Sequence, residues 1–127
     1  MAIEFNIDAD KRWFLGEDKI LSFKISDASG NPLDVSAWQM EFIVRKTDKA
    51  ADPPVIPRKA TPTDIVISGI FNSNPDQNQQ RVVITFDSDE TSSLKPITYR
   101  YSLKRIDTGN EGILAYGGIT FLQATAH

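Results

Sequence analysis

Apolar and polar residues alternate along four stretches of this chain, Leu21–Ile25, Trp38–Val44, Val82–Phe86 and Tyr99–Leu103. Within them every second side chain is apolar and most of the others are polar, although Ile43 and Val83 are apolar residues at otherwise polar positions. Because successive side chains of a β-strand point to opposite faces, this period is typical of a strand that buries one face. The pattern predicts four half-buried strands.

Clusters of turn-forming residues separate these stretches. Asp27–Pro32 and Asp107–Gly112 both combine Gly, Asn and Asp, which adopt the backbone angles of tight turns. Two more strands are predicted over Ile65–Phe71 and Ile113–Leu122, and Trp13–Leu15 adds an edge strand. About seven short strands at this spacing predict an all-β fold, an antiparallel sandwich of two sheets.

Helical periodicity is almost missing from the pattern. Apolar residues show no sustained spacing of three and four, so no long helix is expected. One turn is predicted over Ser88–Leu94, with Ser88 or Asp89 as its cap. It would link two strands across one end of the sandwich.

Prolines mark the longest irregular segment, residues 47–63, which has four of them between positions 53 and 62. Because proline lacks the N–H group that a sheet requires, this proline-rich segment is predicted to be an exposed loop or a ragged sheet edge. Neither composition nor charge changes markedly along the chain. Residues 1–127 are therefore predicted to form one sandwich domain, of which residues 1–12 are an amino-terminal arm.

Composition argues against several classes of function. Among 127 residues there is no cysteine, and the single histidine is His127, the last residue. Neither a thiolate nor a positioned imidazole is expected to carry catalysis or bind metal. The net charge of -3 is the wrong sign for binding phosphate backbones, and no apolar stretch reaches the length of a membrane span. We predict no enzyme activity, no cofactor, no nucleic acid partner and no membrane association, for a chain made in the cytoplasm.

One acidic pattern matches the ligand spacing of a calcium loop. Asn6, Asp8 and Asp10 are followed by Glu17, eleven positions after the first of them. The sixth position of this pattern is Lys11, where a calcium loop needs glycine for its sharp turn. A solvated acidic arm is therefore predicted, and no metal site.

Two aromatic residues near the amino terminus are candidates for a protein interface. Trp13 and Phe14 lie next to charged residues, and exposed aromatic side chains often dominate the binding energy of interfaces. The same residues would equally fill one end of the core, because an edge strand permits either position. Both interpretations stay open on the sequence alone.

The last predicted strand is apolar or small on both faces. A strand in a sheet with one face in water should alternate, so this strand favours a cover over its second face. The cover would be another chain, which we prefer, or the proline-rich segment, and Leu114 and Tyr116 are the candidate contacts. Gly117–Gly118 is predicted to mark a bulge or a close backbone approach. Strict alternation places Ile113, Ala115, Gly117, Ile119 and Phe121 on one face and Leu114, Tyr116, Gly118, Thr120 and Leu122 on the other.

The residues around Tyr99 resemble the corner of an immunoglobulin domain. A short acidic turn over Asp87–Leu94 precedes this tyrosine at the start of a predicted strand, and Tyr101 stands two positions later. In immunoglobulin domains a tyrosine near the start of a strand is followed two residues later by a cysteine. The resemblance implies an immunoglobulin-like sandwich in which Tyr101 takes the place of that cysteine.

Four short motifs occur together between Arg12 and the end of the chain. They are Gly16–Asp18 before a strand, the turn Ser29–Asp34, the stretch Glu90–Tyr99 with its acid, Thr, Leu and Tyr, and the closing run Gly112–Ile119. In this combination the chain resembles small bacteriophage structural proteins of the tail, baseplate or head-appendage type. The resemblance implies a non-enzymatic virion component whose identical surfaces repeat around an axis.

The function predicted from this resemblance is that of a virion structural or assembly protein. Its expected partners are other virion proteins or further copies of this chain, and its expected location is the virion. The alternative is a carbohydrate- or receptor-binding sandwich module that stacks a glycan on exposed aromatic rings. Trp38, Tyr99 and Tyr101 are expected to face inward, which leaves Trp13 and Tyr116 as platforms.

Overall fold

Strands form nearly all of the regular structure in a computed structural model of the protein, which describes residues 3–4, 13–27, 29–47, 49 and 53–122. The predicted all-β fold is confirmed. The elements within the described residues are β1 (Ile3–Glu4), β2 (Trp13–Phe14), β3 (Lys19–Phe23), β4 (Met40–Arg45), β5 (Lys59–Ala60), β6 (Ile65–Ser68), β7 (Arg81–Phe86), α1 (Ser88–Thr91), β8 (Thr98–Arg105) and β9 (Gly112–Leu122).

The strands form two sheets. In the larger sheet β9, β8, β4 and β5 lie side by side and antiparallel, and β1 and β2 pair in parallel with β9. In the smaller sheet β7 lies between β3 and β6, again antiparallel. An immunoglobulin sandwich likewise places its second, fifth and fourth strands in one sheet and its third, sixth and seventh in the other. With β3 as the second strand and β5 as an added edge, the order found here is the same, so the predicted immunoglobulin-like sandwich is confirmed.

The hydrophobic core lies between the inward faces of the two sheets. The predicted alternation holds in β4, β7 and β8, where every apolar residue assigned to the inward face is buried. Each such large side chain contributes roughly 1.5–3 kcal/mol through the apolar surface it removes from water. The buried side chains from these strands are Met40, Phe42, Val44, Val82, Ile84, Phe86, Tyr99, Tyr101 and Leu103.

Aromatic rings occupy the centre where an immunoglobulin domain has its disulfide. The Tyr99 hydroxyl accepts a hydrogen bond of 3.1 Å from the Lys95 backbone N–H, which is the tyrosine corner of that fold. Tyr101 stacks on Phe42 with ring centres 5.4 Å apart, and Phe23 lies 6.4 Å from both rings. Burial raises the pKa of Tyr101 to about 12. Packing of rings therefore joins the two sheets at this point.

The described part of the proline-rich segment forms an edge of the larger sheet. The sequence left open whether this segment is a loop or a sheet edge. Lys59–Ala60 pairs with β4 and so forms a sheet edge. Pro54 adds an isolated bridge to Arg45. Ile56 and Lys59 are buried, so this segment also contributes to the interior.

The single turn of α1 is held by residues outside it. Asp87 is its N-cap, in place of the predicted Ser88 or Asp89, and the helix ends at Thr91, before the predicted Leu94. The Ser88 N–H donates to Asp18 Oδ1 at 2.7 Å, and the buried Thr91 hydroxyl accepts from the Gly16 N–H at 2.9 Å. These bonds attach the loop before β3 to the end of the sandwich.

Candidate functional site

A β-bulge in β9 decides which of its side chains face outward. Leu103 pairs with Ala115, whereas its neighbour Lys104 pairs with Ile113, so Leu114 is the extra residue. An extra residue disrupts the alternation of faces. Ile113 is consequently 47% exposed while Ala115 is buried, and the prediction that these two residues share a face is wrong. The alternation in the sequence gives no sign of this bulge, and strict alternation therefore assigned both residues to the same face.

The bulge also changes the position of Leu114. This side chain is partly buried and packs against the core, whereas Tyr116 is 38% exposed. The register irregularity lies at Leu114, while Gly117 and Gly118 pair regularly with Tyr101 and its neighbour Arg100. Of the two alternatives predicted for these glycines, the bulge is therefore wrong, and the close backbone approach stays a prediction.

The amino-terminal candidates lie beside β9. Trp13 and Phe14 pair in parallel with the end of that strand, at Phe121 and Leu122. Phe14 is half-buried, and the side chain of Trp13 lies outside the described residues. Of the predicted arm, only Ile3–Glu4 is described, and it pairs with β9 as well. Asn6, Asp8 and Asp10, for which a solvated acidic arm was predicted, lie outside the described residues.

The strand β5 of the proline-rich segment does not cover the second face of β9, because it pairs with β4, and β8 separates β4 from β9. On the face that carries the outward residues of β9, Thr47 of this segment lines the same open space as Ile113 and Tyr116. We call this face of the larger sheet the outer face and define it by the outward residues Glu41, Ile43, Arg45, Arg100, Ser102, Lys104, Ile113 and Tyr116.

Strand register arranges these residues in three rows across β4, β8 and β9. The central row places Ser102 between Ile43 and Tyr116. Residues directly opposite each other in antiparallel strands have Cβ atoms about 4.5–5.5 Å apart. The side chains of one row are therefore direct neighbours on the surface. The first row is Arg45, Arg100 and Gly118, and the third is Glu41, Lys104 and Ile113.

A concavity lies at the middle of the outer face. Ser102, at its centre, has a short side chain, and longer side chains surround it. The resulting open space has a volume of about 330 Å³, at the small end of the range for ligand pockets. Its apolar lining comes from Ile43, Ile113 and the ring of Tyr116. The outer face can therefore accept a few side chains of a partner.

Three cationic residues lie on this face. Arg45 lies directly opposite Arg100, and like charges in such a pair are unfavourable. Lys104 lies opposite Glu41, which also accepts a hydrogen bond from Arg58 Nε. We define the basic face as Arg45, Arg100 and Lys104. These three cations share the outer face with the carboxylate of Glu41.

The end of the larger sheet holds a second group of interacting side chains. The guanidinium of Arg105 lies 3.9 Å from the ring centre of Trp38 and donates to Asp107, with Nη2 2.7 Å from Oδ2. The hydrogen bonds from Arg105 hold the pKa of Asp107 at about 2, with the Gln39 backbone N–H as a further donor. Trp38 is half-buried and one side of its ring faces Arg105. Tyr99 and Tyr101 are buried as expected, so Tyr116 is the described tyrosine that reaches the surface.

The basic face was not identified from the sequence. Arg100 lies at a polar position of the predicted strand Tyr99–Leu103, and Arg45 and Lys104 each follow directly after a predicted strand. That Arg45 and Arg100 meet depends on the register between β4 and β8, which are more than fifty residues apart in the chain. The only signal in the sequence was the repeated placement of cations at outward positions.

Comparison with known proteins assigns this chain to no family. No protein-family model matches the chain, and neither a curated protein nor a solved structure matches it significantly. Within the described ranges no three His, Asp or Glu residues are grouped to hold a metal ion. In the part of the chain that the structure describes, no helix is long and apolar enough to cross a membrane.

Proposed function

We propose that this protein is a non-enzymatic structural component of a bacteriophage particle, of the tail, baseplate or head-appendage type, and that it docks other protein surfaces on its outer face. The observation that carries the docking role is the central row of that face, in which Tyr116 and Ile43 flank Ser102 beside the paired Arg45 and Arg100.

The composition of the outer face supports a protein partner. Tyrosine and arginine are enriched in protein interfaces and among the residues that carry most of the binding energy. Here Tyr116, Arg45 and Arg100 line a concavity around Ser102. Such a surface offers a partner an aromatic ring to bury. The mechanism is burial of surface between subunits.

The virion assignment is supported by the resemblance of the four motifs between Arg12 and the chain end to phage structural proteins. An immunoglobulin-like sandwich suits this role, because its sheet faces present rigid surfaces that can repeat around a symmetry axis. The protein would be made in the cytoplasm of the bacterial host and then become part of the particle. Its partners would be other virion proteins or copies of itself.

Mass spectrometry of purified particles tests the virion role. Particles released from the host strain should contain this protein at a fixed ratio to the major capsid and tail proteins. Particles that contain those proteins but lack this one would contradict the proposal.

A surface variant tests the docking role in the same particles. Tyr116→Ser removes the exposed ring from the outer face and should reduce incorporation while leaving the circular dichroism spectrum unchanged. Ile20→Ser is the matched control, because Ile20 is an exposed apolar residue (64%) on the smaller sheet. Equal incorporation of both variants would show that the outer face is not the docking surface.

A glycan is the competing occupant of the same ring. Tyr116 is exposed and lies beside polar side chains, an arrangement that also suits sugar stacking. Titration with a panel of oligosaccharides, followed by tyrosine fluorescence, distinguishes the two cases. Saturable binding that Tyr116→Ser abolishes would favour the carbohydrate-binding module, whereas a flat titration is expected for the structural protein.

A further inference from the structure

The smaller sheet has an edge strand that pairs on one side only in the described part of the chain. This strand is β6, whose neighbour is β7. Alternate N–H and C=O groups of an edge strand point away from the sheet and can bind a further strand. The other edge strand, β3, begins with Lys19 and is followed by Lys24, and lysines protect an edge from such pairing. The strand Ile65–Ser68 contains neither lysine nor proline.

An open apolar space lies beside β6. It has a volume of about 410 Å³, and Ile65, Val66 and Ile67 all line it together with Trp38 and Pro62. Successive residues of a strand point to opposite faces, so a space that three consecutive residues reach lies along the edge of the strand. Val66 is 52% exposed. The edge therefore offers a partner both backbone groups and apolar side chains.

We propose that β6 pairs antiparallel with β6 of a second copy of this chain, across a two-fold axis at Val66. This surface goes beyond the proposed function, because it belongs to the smaller sheet and not to the outer face of the larger one. The two smaller sheets would become one continuous sheet. A two-fold contact uses the same patch on both copies, so it requires a strand that is complementary to itself.

The side chains of β6 meet this requirement. Residues opposite each other in a pair of strands must share a face. When Val66 lies opposite Val66 of the second copy, Ile65 lies opposite Ile67 and Ser68 lies opposite Asp64. Val66 also lies beside Val83 of β7, so four valines become neighbours across the axis. The pairing removes from water the apolar side chain that β6 exposes most.

Opposite charges also meet in this register. Arg81 lies opposite Ser68 within one copy, and its Nη1 donates to the backbone oxygens of Asn78 and Gln80 at 3.4 and 3.0 Å. Asp64 directly precedes β6 and is partly exposed. The second copy places its Asp64 on the other side of Ser68, whose short side chain leaves room between the two charges. Each dimer gains this contact between carboxylate and guanidinium twice.

The residue after the β6 turn gains a contact as well. Ile70 is 81% exposed, more than any other large apolar side chain of the described residues. Its backbone oxygen accepts a 3.2 Å hydrogen bond from the Gln79 N–H, so the hairpin of β6 and β7 extends to this residue. Antiparallel pairing brings the end of one β6 beside the start of the other. In the proposed register Ile70 lies beside Pro62 of the second copy, at the apolar space.

Disulfide trapping tests the pairing, because the chain has no cysteine of its own. Opposite residues of antiparallel strands have Cβ atoms about 4.5–5.5 Å apart, which a small adjustment brings within reach of a disulfide. Under mild oxidation Val66→Cys should form a covalent dimer on a non-reducing gel. Ile20→Cys is the matched control and should stay monomeric, since Ile20 is an exposed apolar residue (64%) on the other edge strand.

The register has its own control. Two copies of residue 68 would lie about 13 Å apart along the paired strands, too far for a disulfide. Ser68→Cys should therefore cross-link much less than Val66→Cys. Equal cross-linking of these two variants would contradict the register at Val66.

Sedimentation velocity with charge reversals tests the contact between Asp64 and Arg81. The wild-type protein should form dimers as its concentration rises. Asp64→Arg and Arg81→Asp each bring like charges together and should sediment as monomers where the wild type is a dimer. A mixture of the two variants should restore the dimer, because both contacts then join opposite charges again. Circular dichroism establishes folding, and Val66→Lys against Ile20→Lys replaces the pair if Arg81→Asp does not fold.

Three outcomes would overturn the inference. They are a wild-type protein that stays monomeric at all concentrations, equal cross-linking of Val66→Cys and Ile20→Cys, and folded charge variants that do not complement each other. The proposed function is tested separately. Tyr116→Ser leaves β6 intact, so in combination with Val66→Cys it should cross-link as fully as Val66→Cys alone, whether or not it enters particles.

Discussion

Lys59 Nζ lies 2.6 Å from Glu90 Oε2, and the two side chains are only 9% and 13% exposed. Lys59 belongs to β5 and Glu90 to α1, so this ion pair joins the edge of the larger sheet to the end of the sandwich. The second carboxylate oxygen of Glu90 accepts a 2.7 Å hydrogen bond from the Asp87 N–H. The Lys59 ammonium also lies 5.2 Å from the ring centre of Phe86. Each charge thus has partners that offset its removal from water.

Loss of one partner of this ion pair should destabilise the fold strongly. Lys59→Met leaves the Glu90 carboxylate buried without its counter-charge, which typically costs about 3–5 kcal/mol. Urea denaturation followed by circular dichroism measures the free energy of unfolding. Lys59→Met combined with Glu90→Gln should recover part of the loss, because no uncompensated charge then stays buried.

The neighbouring Arg58 provides the control for this prediction. Its contact with Glu41 is an ion pair in which the arginine side chain is 49% exposed, and exposed pairs contribute about 1 kcal/mol or less. Arg58→Met should therefore change the unfolding free energy much less than Lys59→Met. Equal losses for the two variants would contradict the role assigned to burial.

Removal of the Tyr99 hydroxyl should weaken the tyrosine corner. Tyr99→Phe keeps the buried ring, which lies edge-on to Phe121 with ring centres 5.7 Å apart, but leaves the Lys95 N–H without its acceptor. We expect a loss of about 1–1.5 kcal/mol, measured as a lower midpoint of urea denaturation. Tyr116→Phe makes the same chemical change at an exposed ring and should have almost no effect.

Gly69 should not tolerate a side chain. Its φ is +81°, and a Cβ atom added there would lie 2.1 Å from the backbone oxygen of Gln79. Gly69→Ala therefore combines an unfavourable backbone conformation with a steric clash that the loop must move to relieve. Thermal unfolding should show a loss of about 2 kcal/mol or more.

Gly30 separates the two contributions at Gly69. It has a similar φ of +85°, but its added Cβ would meet no atom within 4 Å. Gly30→Ala should cost only the backbone term, about 1 kcal/mol. If the two variants unfolded at the same temperature, the close approach of Gln79 would have no energetic consequence.

Acid should destabilise the protein partly through Asp107. The hydrogen bonds from Arg105 lower the pKa of this carboxyl from 3.8 to about 2 in the folded state. A group whose pKa is lowered by folding stabilises the protein above its ordinary pKa, and that stabilisation is lost as the pH falls through the folded value. Stability should therefore fall between about pH 4 and pH 2. Asp107→Asn should be less stable at neutral pH and show a shallower decline over this range.

The acidic residue Asp76 is the control for the pH experiment. It is exposed and lies in the loop between β6 and β7, whereas Arg105 is the last residue of β8. Asp76→Asn should follow the acid limb of the wild-type stability curve. If the unfolding free energy of Asp107→Asn also fell with decreasing pH as steeply as that of the wild type, the contact between Arg105 and Asp107 would not contribute to the pH dependence.

Local regularities of the sequence were sufficient for the architecture. The alternation in Trp38–Val44 and Tyr99–Leu103 identified inward residues correctly, because the period of two is a property of each strand by itself. The tyrosine corner was also recognisable, since Tyr99 and its donor Lys95 are only four residues apart. Similarly, the acidic run after β7 predicted a helical turn, although its cap is Asp87.

Relationships between distant strands were decided by the tertiary structure alone. The bulge at Leu114 exposes Ile113, and the register that aligns Arg45 with Arg100 creates the basic face. Shifting a strand by one residue exchanges its two faces, and the hydrogen bonds that set this shift join segments far apart in the chain. The sequence by itself therefore determined the main strands and most of their common core, whereas it did not reveal β5 and placed the end of β6 at Phe71 in place of Ser68. The tertiary structure alone decided which outward residues become neighbours, because this depends on the pairing of strands that are distant in the sequence.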